Sequence, residues 1–278
     1  MRLPVHALAI IFTVLVPTHA DVVSPVGSLP TPDAGLFPGT EAVSSNLVRS
    51  VFVVQVPADA SNEWDTIGSG FFVGGVPTTG RTAVIGVTCD HVVAAAAKLE
   101  KLLYTGINTG NGFHRSRCRV LYTDPSNDIA VISPVHAATE NSEVENLPIP
   151  LEIFDNGSAL AEGKGVLIAG YPLALGTEND RNHPIIRFGM IAQNPGGSVF
   201  LIDGTASHGN SGSPVVTLGS DYNRLAGMIT SIVTDRITLF DEKGGLTADF
   251  PYNAGLARAV RASLILDAVR QAEKRLSE

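Results

Sequence analysis

The stretch GTASHGNSGSPVV, from Gly204 to Val216, places Ser211 in a glycine-rich turn. Asn210 precedes this serine, Gly209 and Gly212 lie on either side of it, and a proline follows three positions later. Glycine adopts backbone conformations that other residues avoid, so the chain can bend sharply around this small nucleophilic side chain. A serine hydroxyl is a weak nucleophile at neutral pH, and a catalytic serine needs a base and a group that orients the base. A nucleophilic role for Ser211 therefore requires a histidine and an acid elsewhere in the chain.

The candidate base and acid come from two other motifs. His91 ends the apolar strand AVIGVTCDHVV and opens a run of small residues, just downstream of the glycine-rich strand IGSGFFVGG. In DPSNDIAVI, Asp128 ends a loop and heads an apolar strand. A carboxylate in apolar surroundings is costly unless it is hydrogen-bonded, and an imidazole N–H meets that need. The remaining histidines beyond residue 20 have no such context and indicate surface or core positions: His114, His136, His183 and His208.

The fold class follows from short β-branched runs that begin at Val51 and are separated by glycine, proline, asparagine and aspartate. Such closely spaced runs predict antiparallel strands in an all-β fold, because βαβ units need longer connections. Two segments predict helices, one from His91 and one at the C-terminus, where Ser263 is the candidate N-cap. The C-terminal helix carries four apolar residues on one face at helical spacing: Ile265, Val269, Ala272 and Leu276.

The order His91, Asp128, Ser211, with SGFFV, TCDHVV, SNDIAVI and GNSGSPVV around them, resembles the chymotrypsin-fold (trypsin-like) serine endopeptidases. The resemblance covers about residues 50–272 and is closest to the high-temperature-requirement (HtrA/Deg) and glutamyl-endopeptidase-like branches. It implies two antiparallel six-stranded β-barrels, one at about 46–145 and one at about 150–260, followed by a helix at about 261–277. The active site would lie in the cleft between the barrels.

The resemblance also implies roles for individual residues. Ser211 would attack the peptide carbonyl, His91 would accept its proton, and Asp128 would orient the imidazole. The backbone N–H groups of Gly209 and Ser211 would form the oxyanion hole. In digestive members of the family an aspartate before the nucleophile pairs with a new N-terminus after activation cleavage. Asn210 stands there in this chain, so we predict no activation of that type.

The substrate pocket is predicted from the same resemblance. Its floor falls near Thr205 and Ala206, and its wall runs from Ile229 to Ile232 and includes Thr230 and Ser231. No aspartate stands at the floor to select lysine or arginine, which favours a small or medium apolar substrate side chain. His208 has two interpretations, since it either favours acidic substrate side chains or faces solvent.

The N-terminus predicts export. Residues 1–20, MRLPVHALAIIFTVLVPTHA, read as a signal peptide with cleavage near Ala20, giving a secreted or periplasmic protein. The alternative is a membrane anchor, but an apolar run of about 12 residues is shorter than the roughly 18–20 that a spanning helix needs. Residues 21–45 are rich in proline, glycine and serine and predict an extended leader or linker before a protease domain at 46–278. Asn156-Gly157-Ser158 is a glycosylation sequon, relevant in a eukaryotic source.

Charge and cysteine content limit the partners. The net charge is −8, and removal of residues 1–20 takes away Arg2 and no acid, giving −9. A chain with this net negative charge does not attract nucleic acid or anionic lipid, so we expect protein or peptide substrates. The sequence gives no indication of the oligomeric state. No metal or cofactor motif is present, and we expect neither. Cys89 and Cys118 leave two possibilities, a single disulfide or two buried thiols.

Two other functions compete with a serine endopeptidase. A protease-like fold can act as a binding or adhesion module, but such modules usually lose one triad member, and none is missing here. An esterase-type hydrolase would use the same acyl transfer on a different substrate. Quality-control relatives commonly carry a C-terminal PDZ domain, which the sequence lacks, so we expect a stand-alone hydrolase.

Overall fold

A computed structural model describes residues 40–59, 63–78, 81–109, 112–134, 147–155, 160–177, 183–219, 223–240 and 246–277. These residues belong to one compact unit, Phe37–Glu278. The predicted signal peptide, most of the predicted leader and the sequon at Asn156 lie outside the described residues. No helix within the described ranges is long and apolar enough to cross a membrane.

The first half of the chain forms a closed antiparallel barrel. Its strands are β1 (Val51–Pro57), β2 (Trp64–Thr78), β3 (Arg81–Thr88), β4 (Tyr104–Thr109), β5 (Gly112–Asp124) and β6 (Ile129–Pro134). The strand order is β1-β4-β5-β6-β3-β2, and pairing of β1 with β2 closes it. A two-residue strand, β7 (Ile149–Pro150), pairs in parallel with β2 beside the barrel.

The second half forms another closed antiparallel barrel. Its strands are β8 (Gly165–Gly170), β9 (Ile185–Gln193), β10 (Val199–Asp203), β11 (Pro214–Thr217), β12 (Arg224–Phe240) and β13 (Leu246–Arg261). The order around the barrel is β10-β13-β12-β11-β8-β9. The prediction of an all-β fold with two six-stranded barrels and a C-terminal helix is confirmed.

Strand β8 shows how the two barrels are joined. Successive side chains of a strand point to opposite faces. Val166 and Ile168 lie in the apolar cluster that fills the second barrel, whereas Leu167 and Ala169 lie in a larger cluster shared with the first barrel. The run GVLIAG is apolar throughout because both of its faces are buried, which fixes the barrels against each other.

Three helices accompany the barrels: α1 (Thr40–Ser50), α2 (Asp90–Lys98) and α3 (Ala262–Ser277). Helix α1 occupies the end of the segment predicted as an extended leader, because Leu47 packs into the shared cluster and orders this part of the chain. Helix α3 begins at Ala262, so Ser263 lies in its first turn and not at the predicted cap position.

The predicted apolar face of α3 is confirmed. Ile265, Val269 and Ala272 are buried in the shared cluster, and Leu276 packs against it. The helix lies against strands of both barrels, chiefly β5, β2, β6 and β12. It therefore covers the apolar surface where the two barrels meet.

Beyond the second barrel, β12 and β13 continue as a two-stranded ribbon. Ile237 pairs with Phe250, and Asp235 pairs with Tyr252 on the same face. The side chains of Ile237, Phe250 and Tyr252 are exposed, while Arg236 and Asp249 form an ion pair across the two strands.

Candidate active site

His91 is positioned by the junction of a strand with a helix. Strand β3 ends at Thr88, and Cys89 takes the extended N-cap conformation before α2 begins at Asp90. Val92 and Ala96 bury one face of α2, which fixes the helix against the barrel. The His91 side chain is 49% exposed and faces a cleft.

Asp128 closes the turn before β6 and faces His91. Its φ is 56°, a left-handed conformation that aspartate tolerates better than most residues. Its carboxylate oxygens lie 2.8 and 3.0 Å from His91 Nδ1, and Oδ1 also accepts the His91 backbone N–H at 2.9 Å. The carboxylate therefore holds both the ring and the backbone of the histidine.

Ser211 approaches the same imidazole from the second barrel. It precedes β11, and its Oγ lies 2.9 Å from His91 Nε2. Hydroxyl, imidazole and carboxylate thus form one continuous hydrogen-bonded chain across the cleft. The structure brings together the three residues that the sequence proposed for the triad.

The turn around Ser211 presents two unused backbone donors. Gly209 and Gly212 have φ values of 92° and 91°, so this turn requires conformations that favour glycine. The N–H groups of Asn210, Gly212 and Ser213 donate to carbonyl oxygens at 2.8 to 3.0 Å. Within the described part of the chain, no acceptor contacts the N–H of Gly209 or Ser211. Both N–H groups are therefore available as donors, which an oxyanion site requires.

Asn210 is buried and its side chain is used inside the turn. Its Oδ1 accepts the Ser207 N–H at 3.0 Å, and its Nδ2 donates to Ser213 Oγ at 3.3 Å. A neutral amide is therefore satisfied at a position where the digestive relatives carry a charged aspartate.

A cavity of about 350 Å³ adjoins the triad. Its lining residues are His91, Asp128, Ser207, His208, Ser211, Ile229, Thr230, Ser231 and Ile232. Four of the six residues predicted for the substrate pocket are among them, and Ser207 was not predicted although it immediately precedes His208. Asp128 is the one carboxylate in this lining, and it is bonded to His91.

Thr205 and Ala206, which were predicted for the pocket floor, are not among the residues that line this cavity. Ala206 is buried in the apolar cluster of the second barrel, and its carbonyl accepts a hydrogen bond from Asn253. The carbonyl of the exposed Thr205 accepts a hydrogen bond from Arg187 at 2.6 Å.

Cys89 and Cys118 are free and buried, so the disulfide alternative is wrong. Cys89 Sγ donates to the Ile229 carbonyl at 3.2 Å, and Cys118 Sγ lies 3.5 Å from Thr105 Oγ1. Burial raises the pKa of the Cys118 thiol to about 11. Burial, and secondly the charge of Asp128, raise the pKa of the Cys89 thiol well above its ordinary value.

The negative charge of Asp128 also acts on Asp90. Burial first and the Asp128 charge second raise the pKa of the Asp90 carboxyl. Ligand atoms of Cys89, His91 and Asp128 lie within 4.8 Å of one another. A protonated thiol and a carboxylate already bonded to the imidazole make a poor metal site, so these groups do not fit a resident ion.

Comparison with known proteins supports the fold. The chain resembles the crystal structure of a serine endoprotease from Yersinia pestis with 19% identity and a TM-score of 0.54, covering 89% of this chain and 68% of that one. At this identity the likeness concerns the fold alone. Curated protein sequences give no match. The family model of the trypsin-like peptidase domain matches residues 68–228, and the chain therefore belongs to the trypsin-like peptidase family.

Proposed function

We propose that this protein is an exported serine endopeptidase that hydrolyses peptide bonds through His91, Asp128 and Ser211. One observation carries the proposal: Ser211 Oγ lies 2.9 Å from His91 Nε2, while Asp128 lies 2.8 Å from the opposite ring nitrogen. A nucleophile, a base and an orienting acid are thereby aligned beside a cavity large enough for a substrate side chain.

The proposed reaction begins with the imidazole. Asp128 accepts the Nδ1 proton of His91, which leaves the Nε2 lone pair directed at Ser211. As Oγ bonds to the peptide carbonyl carbon, its proton passes to Nε2, and the charge on the imidazolium is stabilised by the Asp128 carboxylate. The carbonyl oxygen becomes an oxyanion that accepts hydrogen bonds from the N–H groups of Gly209 and Ser211.

Collapse of this intermediate breaks the C–N bond. His91 donates its proton to the leaving amine, and an acyl ester remains on Ser211. Water then attacks the ester carbonyl while His91 accepts a proton from it. A second collapse returns that proton to Ser211 Oγ and releases the carboxylic acid, so the site is restored with no net change.

The substrate class follows from the cavity wall. Ile229 and Ile232 are apolar, Thr230 and Ser231 offer hydroxyls, and the lining holds no free carboxylate to bind a lysine or arginine side chain. We propose protein or peptide substrates with small or medium apolar side chains next to the scissile bond. The exposed His208 lies at the same cavity and leaves acidic side chains as the second candidate.

The export proposal depends on the N-terminal sequence. Residues 1–20 have one arginine, an apolar run and small residues near Ala20, as signal peptidase substrates do. We propose that cleavage near Ala20 releases the protein to the periplasm or the extracellular medium. Intact-mass measurement of the protein recovered from an export-competent host tests this, and retention of residues 1–20 would contradict it.

A single labelling experiment separates the candidate functions. We expect a fluorophosphonate probe to label the wild type and the exposed-serine variant Ser198→Ala equally, and to label neither Ser211→Ala nor His91→Ala. Loss of either residue in such a unit costs about 10⁶ in turnover. Casein should be cleaved only by the two proteins that label.

Other results of the labelling experiment favour the competing functions. Labelling with ester hydrolysis but no peptide cleavage favours the esterase. Absence of labelling in the wild type favours the binding module. Equal labelling of all four proteins would remove Ser211 as the nucleophile.

A further inference from the structure

We infer that Ser69, a residue of the first barrel, is a positioning residue that holds the oxyanion turn of the second barrel in its donor conformation. The oxyanion turn is defined here as Ser207–Ser211. The inference rests on the proposed function and adds to it a residue outside the triad. Ser69 contacts neither the substrate cavity nor His91, so any effect it has on catalysis is exerted by positioning the turn.

Every polar atom of Ser69 is engaged. Its Oγ donates to the Gly209 carbonyl at 2.6 Å and accepts the Tyr171 N–H at 2.9 Å. Its backbone N–H donates to the Ser211 carbonyl at 2.8 Å, and its own carbonyl accepts the Thr88 hydroxyl at 2.7 Å. The residue is fully buried in β2. Two of these four bonds reach the oxyanion turn directly, and both cross from one barrel to the other.

Because the peptide group is planar, a hydrogen bond that fixes its carbonyl also fixes the direction of its N–H group. In a trans peptide the C=O and the following N–H point in opposite directions. The His208 carbonyl accepts the Leu173 N–H at 2.6 Å, so the Gly209 N–H is aimed away from Leu173. The Asn210 carbonyl accepts the Ser213 N–H at 2.8 Å, which likewise aims the Ser211 N–H.

Ser69 fixes the peptide group that lies between these two donors. The Gly209 carbonyl is held by the Ser69 hydroxyl, and the Asn210 N–H in the same peptide donates to Ser207. Without the hydroxyl, the Gly209 carbonyl loses its only recorded partner among the described residues. A partly buried carbonyl without a partner is destabilising, and rotation of this peptide relieves the cost at the expense of the donor geometry.

The surroundings admit a hydroxyl and little else. A Cβ added at Gly170 would lie 2.9 Å from Ser69 Oγ, and one added at Gly212 would lie 1.9 Å from the Ser69 carbonyl oxygen. The two glycines therefore permit the close approach of Ser69. A serine supplies one donor and one acceptor in the smallest available volume, which matches the Gly209 carbonyl and the Tyr171 N–H.

This arrangement supplies what Asn210 cannot. The Asn210 amide is bonded within the turn and its neighbour Ser213, so it does not tie the turn to a distant part of the chain. Ser69 provides that tie from the other barrel. This contact therefore ties the oxyanion turn to the first barrel.

The test compares Ser69→Ala with Ser50→Ala. Ser50 is also a buried serine whose hydroxyl donates to backbone carbonyls, those of Asn46 and Leu147, and it lies in α1 away from the cleft. Active sites are first counted by titration to completion with a fluorophosphonate, so that misfolded protein is not scored as slow enzyme. Kinetics are measured well below the unfolding temperature of each variant.

We expect Ser69→Ala to lower kcat per titrated site about 10- to 100-fold with KM within about twofold, because an oxyanion donor acts in the transition state. Affinity for a peptide boronate, which forms a tetrahedral adduct, should fall by a similar factor. Ser50→Ala should change neither quantity. If Ser69→Ala yields no soluble protein, Ser69→Cys retains a weaker donor, and an intermediate loss of kcat is expected.

Three results would overturn the inference. They are an unchanged kcat per titrated site, a loss that Ser50→Ala reproduces, and a change confined to KM. Failure of the proposed function is recognised separately. If the Ser211→Ala variant keeps the turnover of the wild type, the protein does not use the serine mechanism. A wild type with Ser211-dependent turnover and an unaffected Ser69→Ala variant contradicts only the positioning role.

Discussion

The Oδ1 atom of Asp128 accepts the backbone N–H of His91 at 2.9 Å, and the same carboxylate lies 2.8 Å from the ring nitrogen Nδ1. The ring of His91 is thus oriented relative to its own backbone by a single group. Because that backbone begins α2, the direction of Nε2 toward Ser211 depends on the helix and on one carboxylate. The side chain of His91 remains about half exposed, so the orientation does not come from close packing.

Asp128→Asn is expected to lower kcat by about 10⁴ with little change in the fold. An amide that keeps its oxygen on the backbone N–H directs its NH₂ toward Nδ1, which must then accept a hydrogen bond. The ring proton moves to Nε2, and the base toward Ser211 is lost. Steady-state kinetics measure the effect, and Asp267→Asn, an exposed acid on α3, serves as the control. A loss smaller than tenfold would contradict the proposed role.

The three residues of the proposed triad could be selected from the sequence because each lies at a boundary that the local sequence marks. His91 follows an apolar strand, Asp128 precedes one, and Ser211 lies among glycines. The short β-branched runs that form strands and the apolar face of α3 were predictable for the same reason, since their signals are local. The closure of two barrels came from the family resemblance and not from the periodicity.

The rest depends on contacts between distant segments. The carbonyls of Thr205 and Ala206 accept hydrogen bonds from Arg187 and Asn253, and nothing in the neighbouring sequence marks these partners. Cys89 precedes α2 and Cys118 lies in β5, and their spacing in the sequence does not predict whether the two thiols meet. Ser69 was present in the quoted strand, but its bonds to Gly209 and Tyr171 cross from one barrel to the other.

Gly209→Ala is expected to lower kcat at least 100-fold, because the turn loses its donor geometry. A Cβ at this position would lie 2.3 Å from the Tyr171 carbonyl oxygen, in addition to the strain of a φ of 92°. Gly196 separates the two causes, since its φ is 83° but a Cβ there meets nothing within 4 Å. Gly196→Ala should cost about 1 kcal/mol of unfolding free energy and leave kcat unchanged. Equal losses of activity in both variants would attribute the effect to backbone strain alone.

Asn210→Asp is expected to destabilise the protein at neutral pH. Asn210 is 1% exposed and its amide has two partners: its Oδ1 accepts the Ser207 N–H, as a carboxylate oxygen also would, and its NH₂ donates to Ser213 Oγ, as a carboxylate cannot. Burial disfavours an ionised carboxylate, so the loss of unfolding free energy should shrink as the pH falls and the new carboxyl becomes protonated. Urea unfolding at pH 5 and pH 8 checks this. A variant as stable as the wild type at pH 8 would indicate an unrecognised cation at this position.

Peptides with alanine, valine or leucine before the scissile bond should be cleaved at least tenfold faster than peptides with lysine or arginine. Ile229 and Ile232 line the cavity, and its one carboxylate is bonded to His91, so a cationic side chain finds no partner. Values of kcat/KM for a matched peptide series measure the preference. Ile232→Gly should extend it to phenylalanine by widening the wall. His208→Ala decides the remaining alternative, because a role in binding acidic side chains predicts a selective loss with glutamate.

The unfolding free energy should decrease as the pH rises from about 9 toward 11. Burial raises the pKa of the Cys118 thiol from 9.0 to about 11 and raises that of Cys89 as well. Within this window the unfolded chain loses thiol protons that the folded chain retains, so alkali stabilises the unfolded state. A shift of two units corresponds to about 3 kcal/mol for Cys118 at most. Urea unfolding of the wild type and Cys118→Ala at pH 8 and pH 10.5 measures it, and the variant should lose less stability between the two pH values.

The same burial predicts that a thiol reagent labels neither cysteine in the folded protein and both after unfolding. Rapid labelling of the folded protein would show that the thiols are accessible and would remove the cause of the pKa shift.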